Sequence, residues 1–279
     1  MNYDPGQGCK EVSMIRLIVS DIDGTLTAEG STYINPEYFD VIRQLKDKGV
    51  DFVAASGRNM VSIRKVLSPI IDEIWAIAEN GAALIHGEDI IIPHPIPREW
   101  VRDLWQELSV LEEADSFVDA AQHTYAPFED TPMYRFIRDG YQYDIHATGS
   151  WEQLPEETIV MMGLYHPVNA QAYYDAHLSS RWKTDMNYLS SGVTWMNLNM
   201  PGVSKGSALQ KLIRDLHIDP EEVICFGDNI NDISMLKVAG TAMTVADARP
   251  EVRAVCHKIV PACSEDGVLQ ELKAILADF

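Results

Sequence analysis

The spacing of apolar residues changes period several times along this chain. "MIRLIVS" (Met14 to Ser20) is an almost unbroken apolar run, the pattern of a strand covered on both faces. "NPEYFDVIRQLKDKG" then switches to a helical period, with Phe39, Ile42 and Leu45 on one face. Asn35 suits its N-cap, Pro36 its first turn and Gly49 its C′ position. "VDFVAAS" (Val50 to Ser56) reads as a second strand, a helix follows from about Met60 to Leu67, and "EIWAIAE" (Glu73 to Glu79) reads as a third strand. Strands alternating with helices imply a parallel sheet joined by crossover helices.

The same alternation returns near the C-terminus. "KGSALQKLIRDLH" places Ala208, Leu209, Leu212, Ile213 and Leu216 on one helical side. "EVICFG" is a short apolar strand, "NDISMLKVA" begins a helix, "TAMTV" and "HKIVP" read as strands, and "EDGVLQELKAIL" closes the chain as a helix. The middle differs, being richer in Trp, Tyr, His and Pro, with short alternating stretches such as "MYRFIRDGYQYDIHA" and "TIVMMGLYH". The expected fold class is α/β, a doubly wound, Rossmann-like parallel sheet with an inserted α+β unit. The expected limits are 14–85 and 193–279 for the sheet domain, 86–192 for the insertion and 1–13 for an N-terminal extension.

A chain of 279 residues with 46% hydrophobic and 23% charged residues is of ordinary globular composition. Its formal net charge of -20 argues against nucleic acid or an anionic membrane as partner. It also means that any site for an anionic substrate must be locally positive. No apolar stretch approaches the roughly 18 residues of a membrane span, and "MNYDPGQGCKEVS" lacks the order of a signal peptide. Cys9, Cys225, Cys256 and Cys263 contain no C-x-x-C pair, so a zinc or disulfide framework is not expected and a reducing cytoplasm fits.

Candidate chemistry gathers where strands end, which is where open parallel sheets bind ligands. Asp21 and Asp23 follow the first strand; Ser56, Gly57 and Arg58 follow the second; Asp228, Asn229, Asn231 and Asp232 follow "EVICFG"; Lys205 begins a helix. Two aspartates one residue apart at the end of a buried strand repel each other and lose hydration. A hard cation such as Mg²⁺ would relieve both costs and also take phosphate oxygens. The lysine and the helix N-termini suit the phosphate itself. A calcium loop starting at Asp21 would need Gly at its sixth position and Glu at its twelfth, where Leu26 and Thr32 stand. His123, His146 and His166 read as structural or surface groups, Trp100 and Trp105 as packing residues, and Tyr141 and Tyr143 as alternating strand positions.

Taken in order, "DIDGTLT", "SGR", "GVSKG" and "GDNINDISML" resemble the four sequence motifs of the haloacid dehalogenase (HAD) superfamily. With "AENGA" and "EDGV" they resemble its Cof-type branch, subfamily IIB, whose members are Mg²⁺-dependent phosphatases with a large inserted cap. The resemblance covers roughly 14–85 and 195–275; the cap is similar in length and position only. It implies that Asp21 is a nucleophile forming an aspartyl-phosphate and that Asp23 is the general acid and then base. Mg²⁺ would be held by Asp21, the Asp23 carbonyl and Asp228. Ser56, Gly57, Arg58 and Lys205 would meet the phosphoryl group or substrate, Asp232 would orient Lys205 or a metal-bound water, and Asn231 would support the phosphoryl contacts. Two positions depart from the family pattern: Asp247 stands where Asn is usual, and Asn197 where an acid often precedes the motif lysine by eight residues.

The expected activity is hydrolysis of small phosphorylated metabolites, sugar phosphates ahead of phosphorylated cofactors such as pyridoxal phosphate or FMN, by a monomer or small homo-oligomer. A phosphomutase of the phosphomannomutase type and a non-catalytic metabolite sensor are the alternatives. A transport ATPase is disfavoured, because its phosphorylation motif lacks an acid where Asp23 stands.

Overall fold

The computed structural model describes residues 14–111, 113–140, 143–190 and 193–279. The extension expected at 1–13 and the strand position expected at Tyr141 lie outside these residues. The larger sheet contains β1 (Leu17–Asp21), β2 (Asp51–Ala55), β3 (Trp75–Ala78), β4 (Ala83–His86) and β5 (Asp89–Ile91). The smaller sheet contains β6 (Asp115–Ala120), β7 (Thr124–Ala126), β8 (Ile145–Ala147), β9 (Ile159–Tyr165), β10 (Asn187–Ser190) and β11 (Trp195–Asn199). The chain then returns to the larger sheet as β12 (Val223–Phe226), β13 (Thr241–Val245) and β14 (Lys258–Val260).

The larger sheet has the order β14-β13-β12-β1-β2-β3-β4-β5, parallel from β14 to β3, with β4 and β5 added antiparallel at one edge. Its apolar runs are explained by cover on both sides. Ile18, Phe52, Ala54, Ile224 and Phe226 face a core shared with the helices Glu37–Asp47, Met60–Val66 and Gly267–Ala277. Their neighbours Leu17, Val19, Val53, Val223 and Cys225 face the helix Lys205–Asp215. This is the α/β architecture expected from the alternation of elements.

The smaller sheet, in the order β10-β11-β9-β6-β7-β8, is antiparallel except for its final pair, β7 and β8. The helices Arg98–Ser109 and Ala170–His177 pack on it through Val101, Leu104, Trp105, Tyr173 and Tyr174.

Three expectations need correction. Sheet membership does not change at 86 and 192: β5 extends the larger sheet to Ile91, and β11 belongs to the smaller sheet through antiparallel pairing with β9 and β10. "MYRFIRDGYQYDIHA", expected as a short alternating stretch, is extended only in part. The Thr131 hydroxyl accepts the Tyr134 N–H at 3.1 Å and Pro132 occupies the first turn, so Pro132–Arg135 is helical and, among the described residues of this segment, only Ile145–Ala147 is strand. Finally, β3 ends at Ala78, and Glu79, Asn80 and Gly81 turn away at φ 50°, 54° and 108°.

Gly81 is where the two sequence halves of the larger sheet press together. A Cβ there would lie 2.1 Å from the carbonyl oxygen of Ser204, the residue before Lys205, in a backbone region that side chains rarely adopt. Gly81→Ala is expected to lower stability by about 1–3 kcal/mol, from overpacking and backbone strain. Urea unfolding measures this; a midpoint equal to wild type would show that this contact yields freely.

Candidate active site

Because β12, β1, β2 and β3 are adjacent and parallel, their carboxyl ends share one edge of the sheet. Asp21 ends β1 and is 4% exposed. Lys205 begins its helix behind Ser204, whose hydroxyl accepts the Ser207 N–H at 3.0 Å, and this cap aims a fully buried ammonium at the strand ends. The Lys205 Nζ donates to Asp21 Oδ1 at 2.5 Å and to Asp232 Oδ1 at 2.6 Å. The second oxygen of Asp232 accepts the N–H groups of Asp228 and Asn229, both at 3.0 Å. Asp228 is held by the Thr25 hydroxyl, which donates to its Oδ1 at 2.7 Å. Gly24, at φ 81°, lies beneath it, and a Cβ there would come within 2.5 Å of the other oxygen.

Each of Asp21, Asp228 and Asp232 brings one carboxylate oxygen within 4.8 Å of the others. Burial, then the charges of Asp232 and Asp228, push the Asp21 carboxyl well above its usual range despite Lys205. Burial pushes Asp228 up to about 6, against the hydrogen bond from Thr25. Burial opposes the charge on Lys205, but Asp21 and Asp232 outweigh it and raise its pKa. A divalent cation fits this donor set. The carboxylates are hard oxygen ligands, and a dication would offset the burial cost and the mutual repulsion that together raise Asp21 and Asp228. Asp232 is already committed through both oxygens, which leaves Asp21 and Asp228 as the side chains free to coordinate.

Asp23 lies two residues on, in a turn closed by Gly24 N–H to Thr27 O at 2.7 Å. Arg58 grips it with two bonds, Nε to Oδ2 at 2.8 Å and a terminal nitrogen to Oδ1 at 2.6 Å. The Ser56 hydroxyl is 3.5 Å from Asp23 Oδ2 and accepts the Arg58 N–H. Gly57 lies against the Asn80 side chain, and Asn231 donates to Asn80 Oδ1 at 2.8 Å. All the residues expected at the site therefore fall on one sheet edge. Arg58, expected to meet the phosphoryl group or substrate, is paired with Asp23.

Pattern reading missed several participants. Thr25 fixes Asp228, and Asn80 joins the second and fourth motifs; both lie inside the "DIDGTLT" and "AENGA" stretches, but the pattern gave them no role. Glu79 is buried with its Oε1 unpartnered and faces Asp119 of β6. Asn59 reaches the smaller sheet, donating from its side chain to Thr124 Oγ1 and from its backbone to the Tyr143 hydroxyl, both at 3.3 Å. The two departures from the family pattern touch other things. Asn197 is paired within the smaller sheet, and Asp247 accepts the Cys263 N–H at 3.2 Å.

The family model for haloacid dehalogenase-like hydrolases matches residues 18–272. The chain belongs to this family. It is 24% identical to the Escherichia coli 5-amino-6-(5-phospho-D-ribitylamino)uracil phosphatase YbjI, over 94% of this chain and 96% of that protein. A crystal structure from Eubacterium rectale superposes with a TM-score of 0.88 at 33% identity, covering 94% and 99% of the two chains. A HAD subclass IIB sugar phosphatase shares the fold, with a TM-score of 0.77 at 23% identity over 93% and 98%. As an enzyme, the chain is a phosphoric monoester hydrolase of the HAD type.

Lys205 is the sole cation bonded to Asp21 and Asp232 among the described residues. Lys205→Met is expected to cost about 3–5 kcal/mol at neutral pH by leaving buried carboxylates unpaired. The deficit should shrink as pH falls, because the Asp21 carboxyl, which burial already raises, takes up a proton in the folded variant. Denaturant unfolding at several pH values checks both statements; a loss independent of pH would point to packing alone.

Proposed function

We propose that this protein is a Mg²⁺-dependent phosphatase for small phosphorylated metabolites, acting through an aspartyl-phosphate at Asp21. The observation that carries the reading is the Lys205 ammonium held between Asp21 and Asp232, with Asp228 alongside. Asp21 attacks phosphorus, forming the oxygen–phosphorus bond of an acyl phosphate while the bond to the leaving oxygen breaks. Asp23 gives that oxygen its proton, then takes one from the water that attacks the acyl phosphate, releasing phosphate and restoring Asp21. Lys205, Ser56 and the backbone at Gly57 offset the charge on the transferring group. Asp232 orients Lys205, and Asn231 steadies the loop at Asn80. Asp21, the Asp23 carbonyl and Asp228 would hold Mg²⁺, which would supply charge neutralisation at the phosphoryl group.

Arg58 has a place in this scheme. Its guanidinium grips the carboxylate that has to carry a proton, and a phosphate dianion offers it a better bidentate partner. Substrate arrival would thus draw Arg58 from Asp23 and free that group for proton transfer. Sugar or polyol phosphates are the favoured substrates. A curated relative is named for a phosphoribityl compound and a structural neighbour for sugar phosphates.

Asp21→Asn should lower turnover by about 10⁴-fold or more while the protein stays folded, since an amide cannot form the acyl phosphate. Asp23→Asn should slow both half-reactions yet retain Mg²⁺ affinity through its backbone carbonyl. Phosphate release from an aryl phosphate, with metal binding measured alongside, tests the pair. Near-normal turnover in folded Asp21→Asn would remove the nucleophile assignment.

Mg²⁺ should raise the melting temperature by mass action, and Asp228→Ala should remove most of that rise. The rise should grow between about pH 5 and 7, because Asp228, with its pKa at about 6, and Asp21, also raised, must lose protons to coordinate. The metal-free protein should lose stability from about pH 4 to about pH 6, since a folded-state pKa above the unfolded value gives stability that disappears as pH rises between the two. Thermal unfolding with Mg²⁺ or EDTA reads both trends. Full activity in EDTA with no Mg²⁺-dependent shift would eliminate the metal requirement.

A further inference from the structure

A second group of metal-ligating side chains lies on the smaller sheet, apart from the site at Asp21. β7 and β8 run parallel, pairing Tyr125 with His146. His123 immediately precedes β7, and Asp144 immediately precedes β8. This register brings one ligand atom each of His123, Asp144 and His146 within 4.8 Å of the others. His146 Nε2 is 3.2 Å from Asp144 Oδ1. The rings of His123 and His146 meet edge to face, with centroids 5.1 Å apart.

The surroundings of His123 resemble those of a coordinating histidine. Its Nδ1 is 2.8 Å from Glu157 Oε1, and Glu157 also accepts the Tyr125 hydroxyl and the Gln122 N–H. A carboxylate that takes the Nδ1 proton leaves the lone pair on Nε2, which is how metal-bound histidines are commonly oriented. Two imidazoles and one carboxylate suit a borderline transition ion; Mg²⁺ and Ca²⁺ prefer all-oxygen sets.

We propose that His123, Asp144 and His146 form a second metal site, selective for a divalent transition ion of the Zn²⁺ class, with its remaining positions open to water. Tetrahedral Zn²⁺ needs its ligand atoms about 3.4 Å apart, given bonds of about 2.1 Å. Asp144 and His146 are exposed and free to rotate inward by that amount. The ion would tie together the starts of β7 and β8. These are the segments that hold Asn59 of the larger domain, because Thr124 follows His123 and Tyr143 precedes Asp144. An occupied site would therefore brace the contacts one residue beyond Arg58.

The test is isothermal titration of the full-length protein with Zn²⁺, in excess Mg²⁺ to occupy the carboxylate site, with visible absorption of added Co²⁺ as a second readout. One Zn²⁺ per chain is expected, with a dissociation constant in the micromolar range or tighter. His123→Ala and His146→Ala should each weaken it at least tenfold, and Asp144→Asn less. The intense Co²⁺ bands of a four-coordinate site should disappear in both histidine variants. His146 is exposed, so its variant keeps the fold even if His123→Ala does not. No Zn²⁺ binding above buffer would overturn the proposal. So would a Zn²⁺ isotherm unchanged in His146→Ala, which would assign the ion to the Asp21 site or to scattered surface groups.

Discussion

The ammonium of Lys205, out of contact with water, bridges Asp21 and Asp232 at the end of the central strand. Removing these three ions from water costs several kcal/mol for each. Their mutual attraction offsets that only because the bonds are short and the remaining oxygens of Asp232 meet backbone N–H groups. The charge still does not balance. With Asp228, three carboxylates face one ammonium, which leaves two negative charges if all are ionised. Burial above all raises Asp21 and Asp228, the neighbouring carboxylates add to it, and a divalent cation would offset both effects. A dication bound there would also let a chain at -20 present a site to a phosphate, because the local charge would be set by Lys205 and that ion, not by the distant surface.

Holding that ammonium in place occupies much of the surrounding structure. The helix it begins must start at Ser204, where a side-chain cap and the Ser207 hydroxyl close the first turn. The loop at Glu79 to Gly81 must pass against Ser204 closely enough to exclude any Cβ. That loop also meets Gly57 and Asn231, so segments following β2, β3 and β12 and the segment before Lys205 are locked through a few short contacts.

Much of this was legible in the chain because the signals are local. A parallel sheet covered on both faces makes continuous apolar runs, and the groups at its carboxyl edge follow directly in sequence, as Asp21 follows β1 and Asp228 follows β12. What could not be read depends on partners far along the chain. Arg58 looks like a free phosphate ligand until Asp23 is placed beside it, and Glu79 reads as the polar end of a strand until Asp119 is seen opposite. "MYRFIRDG" alternates like a strand, but its start is set by the cap at Thr131 and Pro132, which outweighs the alternation. β11 adjoins the third motif in sequence yet pairs antiparallel with β9, a long-range choice that no local period reports.

The contacts between the two sheets fall on the residues next to the proposed chemistry. The Glu79 N–H bonds the Arg58 carbonyl at 3.0 Å, Arg58 grips Asp23, and Asn59 is held by Thr124 and Tyr143. Glu79 and Asp119 form a buried carboxyl pair across the joint. Burial, then the charge of Asp119, raises Glu79 well above its usual range, and burial raises Asp119 to about 6 despite its bonds from Thr124, Glu79 and Asn59. Two carboxyls at such a contact share a proton more readily than they both ionise. Separation of the sheets would return both acids to water and release Asn59 in the same movement. The surface that would read the leaving group is therefore seated on the backbone that positions Arg58 and Asp23, and the fit of one constrains the geometry of the other.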